Sequence, residues 1–515
     1  MADELSRASA IVIVGFMGAG KSTAARALAA LRGVSAIDAD RLIEERLGCT
    51  IAEAFARDGE AAFRAVEETV VGELLERASG GEIISLGGGA IGSERARAAL
   101  RRHLVVWLDV PLSLAWRRSS GGKRPLAGDR PAFEALYRRR RPLYESLADA
   151  IVPGGARRAV PGAYDALEAM RLASVPSRLL WAVSDSAEYP VWIGRGLIGA
   201  GVWPIARGPS RRFLITDQQV APLWAPRLGE VYGQLEIRAG EASKTLASAE
   251  QVWRGLAHAG ATRSDHLVAL GGGVVGDLAG FCAATYQRGV PIVQVPTTLV
   301  AQVDSAYGGK TGIDLPEAKN YVGAFHQPAG VLVDPATLDT LPAAELSSGY
   351  AELLKTALIA GGALWQQVAA DAPLDEQMIL DCIRCKLAVV AADERDGGAR
   401  QVLNLGHTVG HAIEAATDYR RYRHGEAVAL GLLVALRLSE QTELREQVSG
   451  LLAAHGLPTQ ASGLEADAVL AATKLDKKRG PHGVPLVLVQ APGDVRHGAA
   501  VDDADLERAV REVLA

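Results

Sequence analysis

The stretch AIVIVGFMGAGKSTAARALAALR, residues 10–32, decides the fold of the first part of the chain. Its apolar run from Ala10 to Val14 is typical of a buried strand, and KSTAARALAALR is typical of a helix. Between them, Gly15 to Ser22 fit the pattern G-x-x-x-x-G-K-[ST] in the strand, loop and helix context that supports it. The glycines let backbone N–H groups turn toward phosphate oxygens, and the helix N-terminus adds partial positive charge. The sequence therefore predicts a nucleoside triphosphate site.

The side chains at the end of this loop suit a triphosphate and its metal ion. Lys21 can reach the β- and γ-phosphates, and Ser22 can hold Mg²⁺. The residues predicted to bind ATP in the loop are Gly18, Ala19, Gly20, Lys21, Ser22 and Thr23. A loop of this kind indicates nucleotide binding, but it does not indicate which molecule is phosphorylated.

Short apolar runs continue to alternate with helical stretches, which predicts a parallel α/β sheet. The composition then changes at IVPGGARRAVPGA, which is rich in proline and glycine, and a second α/β pattern follows. We therefore predict a P-loop α/β domain at residues 1–173 and a second domain at 174–515. The second domain divides into an α/β nucleotide-binding portion at about 178–342 and an α-helical portion at 343–515.

The overall composition is that of a globular protein and excludes several classes. Its 55 basic and 60 acidic residues give a net charge of -5, which argues against a general nucleic-acid surface. The first residues carry mixed charge, and no stretch of about 20 apolar residues is available to span a bilayer. Four cysteines are too few for a disulfide framework. We expect a cytoplasmic protein that binds small molecules, without a nucleic-acid or membrane partner.

Several motifs downstream of the P-loop narrow the first function. They are Asp38-Ala39-Asp40, Gly59-Glu60, Phe63-Arg64 with Glu67, Leu86-Gly87-Gly88-Gly89, Lys123-Arg124-Pro125-Leu126 and Arg140-Arg141-Pro142-Leu143-Tyr144. Together these motifs resemble shikimate kinase over residues 10–172. A gluconate kinase or a nucleoside monophosphate kinase would share the P-loop, but we do not expect either to combine all these motifs at these spacings.

The resemblance implies a shikimate site made of Asp40, Arg64, Gly88 and Arg140. Arg64 would hold the carboxylate as a bidentate fork, for which guanidinium geometry is suited. Asp40 would accept a hydrogen bond from the reacting hydroxyl group and orient it, and Lys21 would act with it in catalysis. Arg140 would bind the carboxylate from the other side.

Three further roles follow from the same resemblance. Asp38 would help to hold Mg²⁺ through water, Arg124 would lie on a lid over the γ-phosphate, and Arg118 would lie near the adenine. The chain departs from the family at Ala39, where threonine is commoner, which removes a hydroxyl group but leaves both carboxylates. A regulatory nucleotide-binding module without kinase activity is the alternative for this half.

In the second half, the apolar run HLVAL, residues 266–270, leads into Gly271-Gly272-Gly273-Val274-Val275-Gly276-Asp277. This segment contains G-x-G-x-x-G after a strand and before a helix, which by itself is a weak signal for dinucleotide binding. Lys310 and Lys319 lie next to glycine-rich turns and suit a phosphate or another anion.

A metal site is predicted from His407 and His411, which share one face of a helix at positions i and i+4. The glutamate that a zinc protease carries between such histidines is absent. His424 and Glu352 are further candidates, and one glutamate with two imidazoles and an open position is a catalytic zinc pattern. A polar helical core with hydrogen-bonded histidines is the simpler interpretation of the same residues.

Residues 178–515 resemble 3-dehydroquinate synthase. The matching stretches are GGGVVGD, PTTLVAQVDSAYGGKTG, KNYVGAFHQP, GYAELLKTA, NLGHTVGHAIE, HGEAV and DKK. The resemblance implies that Glu352, His407 and His424 bind Zn²⁺ or Co²⁺, and that His411 belongs to the substrate site. Ala239 and Ala306-Tyr307 depart from the commoner family residues without removing a predicted ligand.

The remaining roles are also implied by this resemblance. The predicted NAD contacts are Glu241, Lys244, Gly273, Val274, Val275, Gly276, Asp277, Thr297, Thr298, Asp304, Lys310, Lys319, Thr337, Leu338, Asp339 and Thr340. The predicted substrate contacts are Asp304, Lys310, Asn320, Lys355, Lys386, Arg400, Asn404, His411 and Lys477, of which Lys310, Lys355, Lys386, Arg400, Asn404 and His411 are also assigned to catalysis. Arg288 would reach the substrate phosphate from the neighbouring subunit, which implies a homodimer through this half.

The two resemblances together imply a kinase fused to a cyclising synthase, with two activities of the shikimate pathway. One is ATP-dependent phosphorylation of shikimate. The other is NAD- and metal-dependent conversion of 3-deoxy-D-arabino-heptulosonate 7-phosphate to 3-dehydroquinate and phosphate. A metal-dependent NAD alcohol or glycerol dehydrogenase remains an alternative for the second half, as does 2-deoxy-scyllo-inosose synthase or another sugar phosphate cyclase.

Overall fold

The computed structural model describes residues 9–120, 128–155, 159–205, 210–474 and 486–514. The chain packs as two compact units. Unit 1 extends to Val183 and includes Glu188–Ala206, and unit 2 contains Ser184–Ala187 and the chain from Arg207 onward. The strands, helices and site of each unit are described separately.

Unit 1 contains seven strands and eight helices among its described residues. The strands are β1 Ile11–Gly15, β2 Ala36–Asp38, β3 Ile83–Ser85, β4 Leu104–Asp109, β5 Ala150–Pro153, β6 Arg178–Val183 and β7 Glu188–Ile193. The helices are α1 Lys21–Arg32, α2 Ala39–Leu47, α3 Ile51–Arg77, α4 Glu94–Leu100, α5 Leu112–Ser119, α6 Arg130–Leu147, α7 Ala159–Gly162 and α8 Tyr164–Arg171.

The sheet of unit 1 has the strand order β2-β3-β1-β4-β5-β6-β7. All pairs from β2 to β6 are parallel, and only β7 runs antiparallel to β6. Every residue of β1 is buried, as expected for a central parallel strand that is covered on both faces. The predicted parallel α/β fold is confirmed, and the carboxyl ends of β1, β2 and β3 meet at one edge, where the P-loop lies.

Local sequence signals set the helix boundaries around that edge. Asp38 caps α2, and Thr50 with Glu53 forms a capping box at the start of α3. Within α3, Gly59 adopts φ 80° and ψ 172°, so the helix is interrupted before the turn that carries Arg64. This interruption was not predicted from the sequence.

The boundary predicted at 173/174 differs from the division by packing. Strand β6 pairs in parallel with β5, with Ala150 opposite Leu179 and Ile151 opposite Leu180. Backbone hydrogen bonding therefore groups β6 and β7 with unit 1, although they follow the predicted boundary. The boundary between the two enzyme domains at 173/174 therefore stays a prediction.

Unit 2 begins with an α/β portion. Its strands are β8 Arg212–Asp217, β9 Gly233–Ile237, β10 His266–Gly271, β11 Ile292–Pro296, β12 Lys310–Leu315, β13 Ala318–Phe325 and β14 Gly330–Val333, and its helices are α9 Ala221–Trp224, α10 Leu246–His258 and α11 Gly273–Thr285. The sheet order β14-β11-β10-β8-β9 is parallel throughout. Strands β12 and β13 form a separate antiparallel ribbon. Buried side chains such as Phe213, Leu256 and Leu278 fill the space between this sheet and α10 and α11.

The second portion of unit 2 is helical, as predicted. Its helices are α12 Ala343–Ala360, α13 Gly362–Ala369, α14 Glu376–Ala392, α15 His407–Ala416, α16 His424–Leu438, α17 Thr442–Ala454, α18 Ala466–Lys474 and α19 Asp503–Val513. An unpredicted antiparallel hairpin, β15 Leu486–Ala491 and β16 Asp494–Ala499, lies between the last two. Within the described ranges, no helix combines the length and the apolar character needed to cross a bilayer.

Candidate active sites

The P-loop of unit 1 wraps around the start of α1. Gly18 and Gly20 have φ values of 79° and 95°, a left-handed backbone that glycine adopts without steric cost. The Lys21 Nζ atom lies 3.3 Å from the Phe16 carbonyl oxygen, so the ammonium group points back across the loop. A methyl group on Gly18 would lie 2.9 Å from the Ala115 carbonyl oxygen, because the loop packs tightly against α5. The loop is therefore shaped as a phosphate cradle.

Two of the predicted magnesium residues lie on the same side of the P-loop. The Ser22 Oγ atom is 3.5 Å from the Ser85 Oγ atom at the end of β3. Ser85 is in turn the register partner of Asp38 at the end of β2. The Asp38 carboxylate accepts a hydrogen bond from the Asp40 amide at 3.1 Å, which fixes its position. The tertiary structure thus brings together a hydroxyl group and a carboxylate that are suited to a hydrated Mg²⁺.

The loop of residues 87–89 lies between the P-loop and the predicted shikimate residues. A methyl group on Gly88 would lie 3.5 Å from the Gly15 carbonyl oxygen, on the P-loop side. A methyl group on Gly87 would lie 2.5 Å from the Asp40 carboxylate, and one on Gly89 would collide with the Arg64 guanidinium. Asp40 and Arg64 therefore lie against Gly87 and Gly89, while Gly88 between them faces the P-loop.

The predicted carboxylate-binding arginines converge on this glycine loop. Arg64 pairs with Glu67 at 2.5 Å and with Glu60 at 3.1 Å. Arg140 donates a hydrogen bond to the Gly88 carbonyl oxygen at 3.0 Å. Burial lowers the pKa of Arg140, and the nearby Arg64 cation lowers it further. Two cations held this close are suited to an anionic ligand, which would relieve their repulsion.

Glu67 belongs to one of the sequence motifs, but no function was predicted for it. This carboxylate is buried and lies about one helical turn from Arg64, which it holds in place. Burial raises the pKa of Glu67, and the Arg64 cation opposes that rise. The i, i+3 spacing of the two residues is the signal that could have identified the pair.

Two further predicted site residues of unit 1 are Arg118 and Arg124. Arg118 donates a hydrogen bond to the Gly18 carbonyl oxygen at 3.1 Å, so it contacts the P-loop itself. Its contact with adenine remains a prediction. Arg124, predicted on the lid, lies outside the described residues.

In unit 2, three helices bring the predicted metal ligands together. Glu352 comes from α12, His407 begins α15 and His424 begins α16. The Glu352 Oε1 atom lies 3.0 Å from His424 Nε2 and 3.3 Å from His407 Nε2, and one ligand atom of each residue lies within 4.8 Å of the others. A carboxylate oxygen and two imidazole nitrogens converging on one point fit a divalent ion with an open position.

A buried charge network surrounds these ligands. Lys355 lies one turn further along α12, with its Nζ atom 2.5 Å from Glu352 Oε2 and 3.9 Å from Asp304 Oδ2. Burial alone would raise the pKa of Glu352, but Lys355 and His407 hold it well below its usual value. Asp304 lies in a short π-helix, Ala301–Ser305, a distortion frequent at functional sites. Its other oxygen is 2.5 Å from Lys386 Nζ.

A cationic group lies beside this network. Lys310 pairs with Asp396 at 2.7 Å, and Arg400 is fully buried and donates hydrogen bonds to the carbonyl oxygens of Gly308 and Glu394. Burial lowers the pKa of Lys310, and although Asp396 opposes this, Arg400 and Lys386 lower it as well. The hydrogen bond from Arg400 to the Gly308 carbonyl oxygen places its guanidinium group beside the turn that leads to Lys310.

A cavity of about 1140 Å³ in unit 2 is lined by the glycine-rich turn and by His424 of the metal cluster, whereas Glu352 and His407 do not line it. Its lining includes His424 and the following residues predicted to contact NAD or substrate: Glu241, Lys244, Gly273, Val274, Val275, Asp277, Thr297, Thr298, Asp304, Lys319, Asn320, Thr337, Thr340 and His411. The predicted residues Gly276, Lys310, Leu338, Asp339, Lys355, Lys386, Arg400 and Asn404 do not line it. A pocket with a nucleotide end and a metal end is thus assembled within one unit.

Two features lie at the predicted nucleotide end of the cavity. Strand β10 ends at Gly271 and α11 begins at Gly273, which places the glycine turn at the carboxyl edge of the sheet. Lys244 is buried and pairs with Asp277 at 2.7 Å. Although burial lowers the pKa of Lys244, Asp277 and Glu241 raise it by more.

One acidic residue of the cavity was missed as a site residue. Glu414 is buried on α15, with Oε1 3.1 Å from Lys319 Nζ and Oε2 3.5 Å from His424 Nδ1. Its sequence signal was weak, because a glutamate three residues after His411 is also common on helices for other reasons. Only the packing of α15 against α16 shows that it faces a predicted ligand.

Two predicted substrate residues lie elsewhere. Arg288 is exposed with φ 68°, follows Gln287 with φ 49°, and does not line the cavity of its own chain. Left-handed backbone at two consecutive non-glycine residues costs energy and is often found at functional positions. Lys477 lies outside the described residues.

Comparison with known families agrees with both halves. Residues 17–171 match the family model for shikimate kinase. Residues 234–348 match the N-terminal model of 3-dehydroquinate synthase, and residues 349–479 match its C-terminal model.

Individual relatives match the synthase half. A 3-dehydroquinate synthase from Halorhodospira halophila is 44% identical over 333 residues, which cover 62% of this chain and 94% of that protein. A solved 2-deoxy-scyllo-inosose synthase, complexed with carbaglucose-6-phosphate, NAD⁺ and Co²⁺, aligns with a TM-score of 0.58 and 24% identity over 66% of this chain and 100% of that one. A 2-epi-5-epi-valiolone synthase from Streptomyces hygroscopicus with NAD⁺ and Zn²⁺ bound aligns with a TM-score of 0.59 and 24% identity over 64% and 98% of the two chains. At that identity the two structures show a shared fold.

Proposed function

Because the chain belongs to the 3-dehydroquinate synthase family and carries a shikimate kinase domain, it is a bifunctional enzyme of the shikimate pathway, and we propose that its two reactions use the two residue groups described above. The observation that carries this proposal is the convergence of Glu352, His407 and His424 on one point, with His424 lining a cavity that is also lined by the glycine turn. Each group is argued in turn.

In unit 1, ATP with Mg²⁺ phosphorylates the 3-hydroxyl group of shikimate. Lys21 and the loop amides hold the phosphates, and Ser22 and Asp38 hold the hydrated ion, which is supported by the contact of Ser22 with Ser85, the register partner of Asp38. Phosphoryl transfer needs positioning and charge neutralisation more than covalent chemistry, and a loop shaped in advance supplies both.

The acceptor lies on the other side of the 87–89 loop. Arg64 and Arg140 bind the shikimate carboxylate, since both guanidinium groups reach this loop. Asp40 accepts the hydrogen bond of the reacting hydroxyl group and directs its oxygen toward the γ-phosphate. Glu60 and Glu67 keep Arg64 extended for this contact.

In unit 2, 3-deoxy-D-arabino-heptulosonate 7-phosphate is converted to 3-dehydroquinate and phosphate. NAD and a zinc or cobalt ion, when bound, supply reversible hydride transfer and the polarisation of a substrate hydroxyl group. Glu352, His407 and His424 hold the ion, and the glycine turn that begins α11 receives the dinucleotide phosphates.

The remaining side chains bind and orient the substrate. Lys310, Lys386 and Arg400 supply positive charge that suits an anionic substrate, although they do not line the cavity itself. Lys355 keeps Glu352 and Asp304 ionised, because it lies between both carboxylates. The imidazole of His411 lines the cavity beside His407 and His424 and can exchange a proton with the substrate.

Two observations favour this reaction over the alternatives. The curated relatives from Halorhodospira halophila and Desulforamulus reducens are 3-dehydroquinate synthases at 44% and 41% identity, whereas the aligned 2-deoxy-scyllo-inosose synthase is 24% identical. The three substrate cations also favour a phosphorylated acid over the small alcohol of a glycerol dehydrogenase.

The synthase half forms a homodimer in the cytoplasm in which Arg288 completes the site of the neighbouring subunit. This part of the proposal is supported by the exposed position of Arg288 outside the cavity of its own chain. Small molecules are the only partners that either reaction needs.

Assays of the purified chain test the assignment. We expect shikimate-dependent ADP formation, and heptulosonate phosphate-dependent phosphate release that requires NAD without net NADH accumulation. Lys21→Ala should abolish only the first activity and Glu352→Gln only the second, while Arg26→Ala on the exposed face of α1 should change neither. Net NADH formation would favour a dehydrogenase instead. Full-length variants are preferable to pieces cut at 173/174, because that cut separates β6 from β5.

A further inference from the structure

The two imidazoles of the metal cluster are arranged alike. Each presents Nε2 to Glu352, at 3.3 Å from His407 and 3.0 Å from His424. At Nδ1, His407 makes a 3.1 Å hydrogen bond with the Leu405 carbonyl oxygen, whereas His424 faces Glu414 Oε2 at an ion-pair distance of 3.5 Å, and this buried oxygen has no hydrogen bond among the described residues. The acceptor is a backbone group in one case and a carboxylate in the other.

This arrangement matters because a neutral imidazole carries one N–H and one lone pair. An acceptor at Nδ1 keeps the proton there and leaves the Nε2 lone pair free for an ion. Histidines that bind metals nearly always donate their second ring N–H to such an acceptor, and removal of the acceptor weakens metal binding.

Glu414 is held in place for this contact. Its side chain is 2% exposed, and its other oxygen pairs with Lys319 at 3.1 Å. Lys319 is itself fixed by Glu241 at 3.7 Å and by the face of the Tyr419 ring at 4.7 Å. These contacts fix the orientation of the Glu414 carboxylate beside His424.

We propose that Glu414 is a positioning residue that accepts the Nδ1–H of His424, fixes the tautomer that directs Nε2 toward Glu352 and His407, and thereby strengthens binding of the divalent ion. This inference rests on the proposed metal site and adds to it a residue outside the ligand set. The ion pair between Glu414 and Lys319 also links the two ends of the cavity through side chains, because Lys319 lines the predicted nucleotide end.

Cobalt binding to the metal-free full-length chain tests the role of Glu414. Titration with Co²⁺ against a competing chelator gives the affinity, and the visible absorption bands of Co²⁺ report the ligand geometry. We expect Glu414→Leu, which removes the acceptor, to weaken binding roughly 10- to 100-fold and to shift the bands. Glu414→Gln retains an oxygen acceptor, so it should recover most of the affinity and the wild-type spectrum.

The matched control is Glu345→Gln, a carboxylate of the same cavity that pairs with Arg423, the residue before His424. It should leave both readouts unchanged. Wild-type affinity in Glu414→Leu would overturn the proposal. Equal losses of Co²⁺ affinity in Glu414→Leu and Glu414→Gln, with unchanged thermal melting, would also overturn the proposal. They would show that only the charge of Glu414 matters. Complete loss of binding in Glu414→Gln would instead make Glu414 a ligand and would also overturn it.

One further variant separates this proposal from the metal site itself. Glu352→Gln should abolish high-affinity Co²⁺ binding. If Glu352→Gln binds as well as wild type, the ligand assignment fails. If Glu352→Gln fails to bind while Glu414→Leu binds normally, the metal site stands and only the positioning role is wrong.

Discussion

Lys355 and Glu352 lie one helical turn apart on α12 with Nζ 2.5 Å from Oε2, and both side chains are buried. The same ammonium group lies 3.9 Å from Asp304. Lys355 therefore faces two carboxylates in the interior, of which Asp304 also pairs with Lys386 at 2.5 Å, and it helps to keep the predicted ligand Glu352 ionised.

Replacement of this cation should destabilise unit 2. Lys355→Met leaves two buried carboxylates without their shared partner, and breaking a buried pair in this way costs about 3–5 kcal/mol. We expect a loss of that size in denaturant unfolding of the metal-free chain. Arg254→Met, which breaks an exposed pair with Glu250, should cost less than about 1 kcal/mol. A similar small loss in Lys355→Met would contradict the importance of the buried pair.

Arg64 should be sensitive even to a conservative change. Arg64→Lys retains the charge but loses the planar fork that binds a carboxylate through two parallel hydrogen bonds. Loss of about 1.5–3 kcal/mol of charge-assisted hydrogen bonding predicts a KM for shikimate about 10- to 100-fold higher, with the KM for ATP little changed. Arg57→Lys, on the exposed part of α3, is the matched control. An unchanged KM for shikimate would place the carboxylate elsewhere.

Mixing two inactive variants tests the role of Arg288 across subunits. If both residues are needed, Arg288→Ala and Glu352→Gln should each abolish synthase activity. In a mixed dimer with shared sites, one site receives both intact residues, so equal mixing should restore about a quarter of wild-type activity. No recovery, despite subunit exchange shown by mass-tagged chains, would place Arg288 in the site of its own chain.

Asp149 should give unit 1 a dependence of stability on pH. Its carboxylate accepts a hydrogen bond from the Val105 amide at 2.8 Å, and burial raises its pKa to about 6. The unfolded value is about 3.9, so the folded protein binds the proton more tightly, and stability is lost as pH rises from about 4 to about 7.

Asp149→Asn retains the acceptor oxygen and removes the titration. At pH 7 its free energy of unfolding, measured by urea denaturation, should exceed that of wild type by up to about 3 kcal/mol. The difference should vanish near pH 4. Asp165→Asn on the exposed face of α8 is the comparison. A difference that stays constant from pH 4 to pH 7 would argue against this carboxyl as its source.

The parts of the molecule that the sequence predicted well are those whose signals are local. The strand and helix on either side of the P-loop could be placed because apolar runs, glycine spacing and helix formers act within a few residues of one another. The break in α3 at Gly59 and the β15–β16 hairpin could not, since a single glycine or a short apolar run is compatible with several backbones.

By itself, the sequence determined that a triphosphate loop opens a parallel α/β unit and that a second unit carries a glycine turn followed by helices with the predicted metal ligands. The tertiary structure decided that Glu352, His407 and His424 meet, that one loop separates Asp40 and Arg64 from the P-loop, and that Glu414 faces His424. The physical reason is that backbone conformation follows largely from neighbouring residues, whereas the convergence of side chains depends on how distant helices pack and on which charges they bury together.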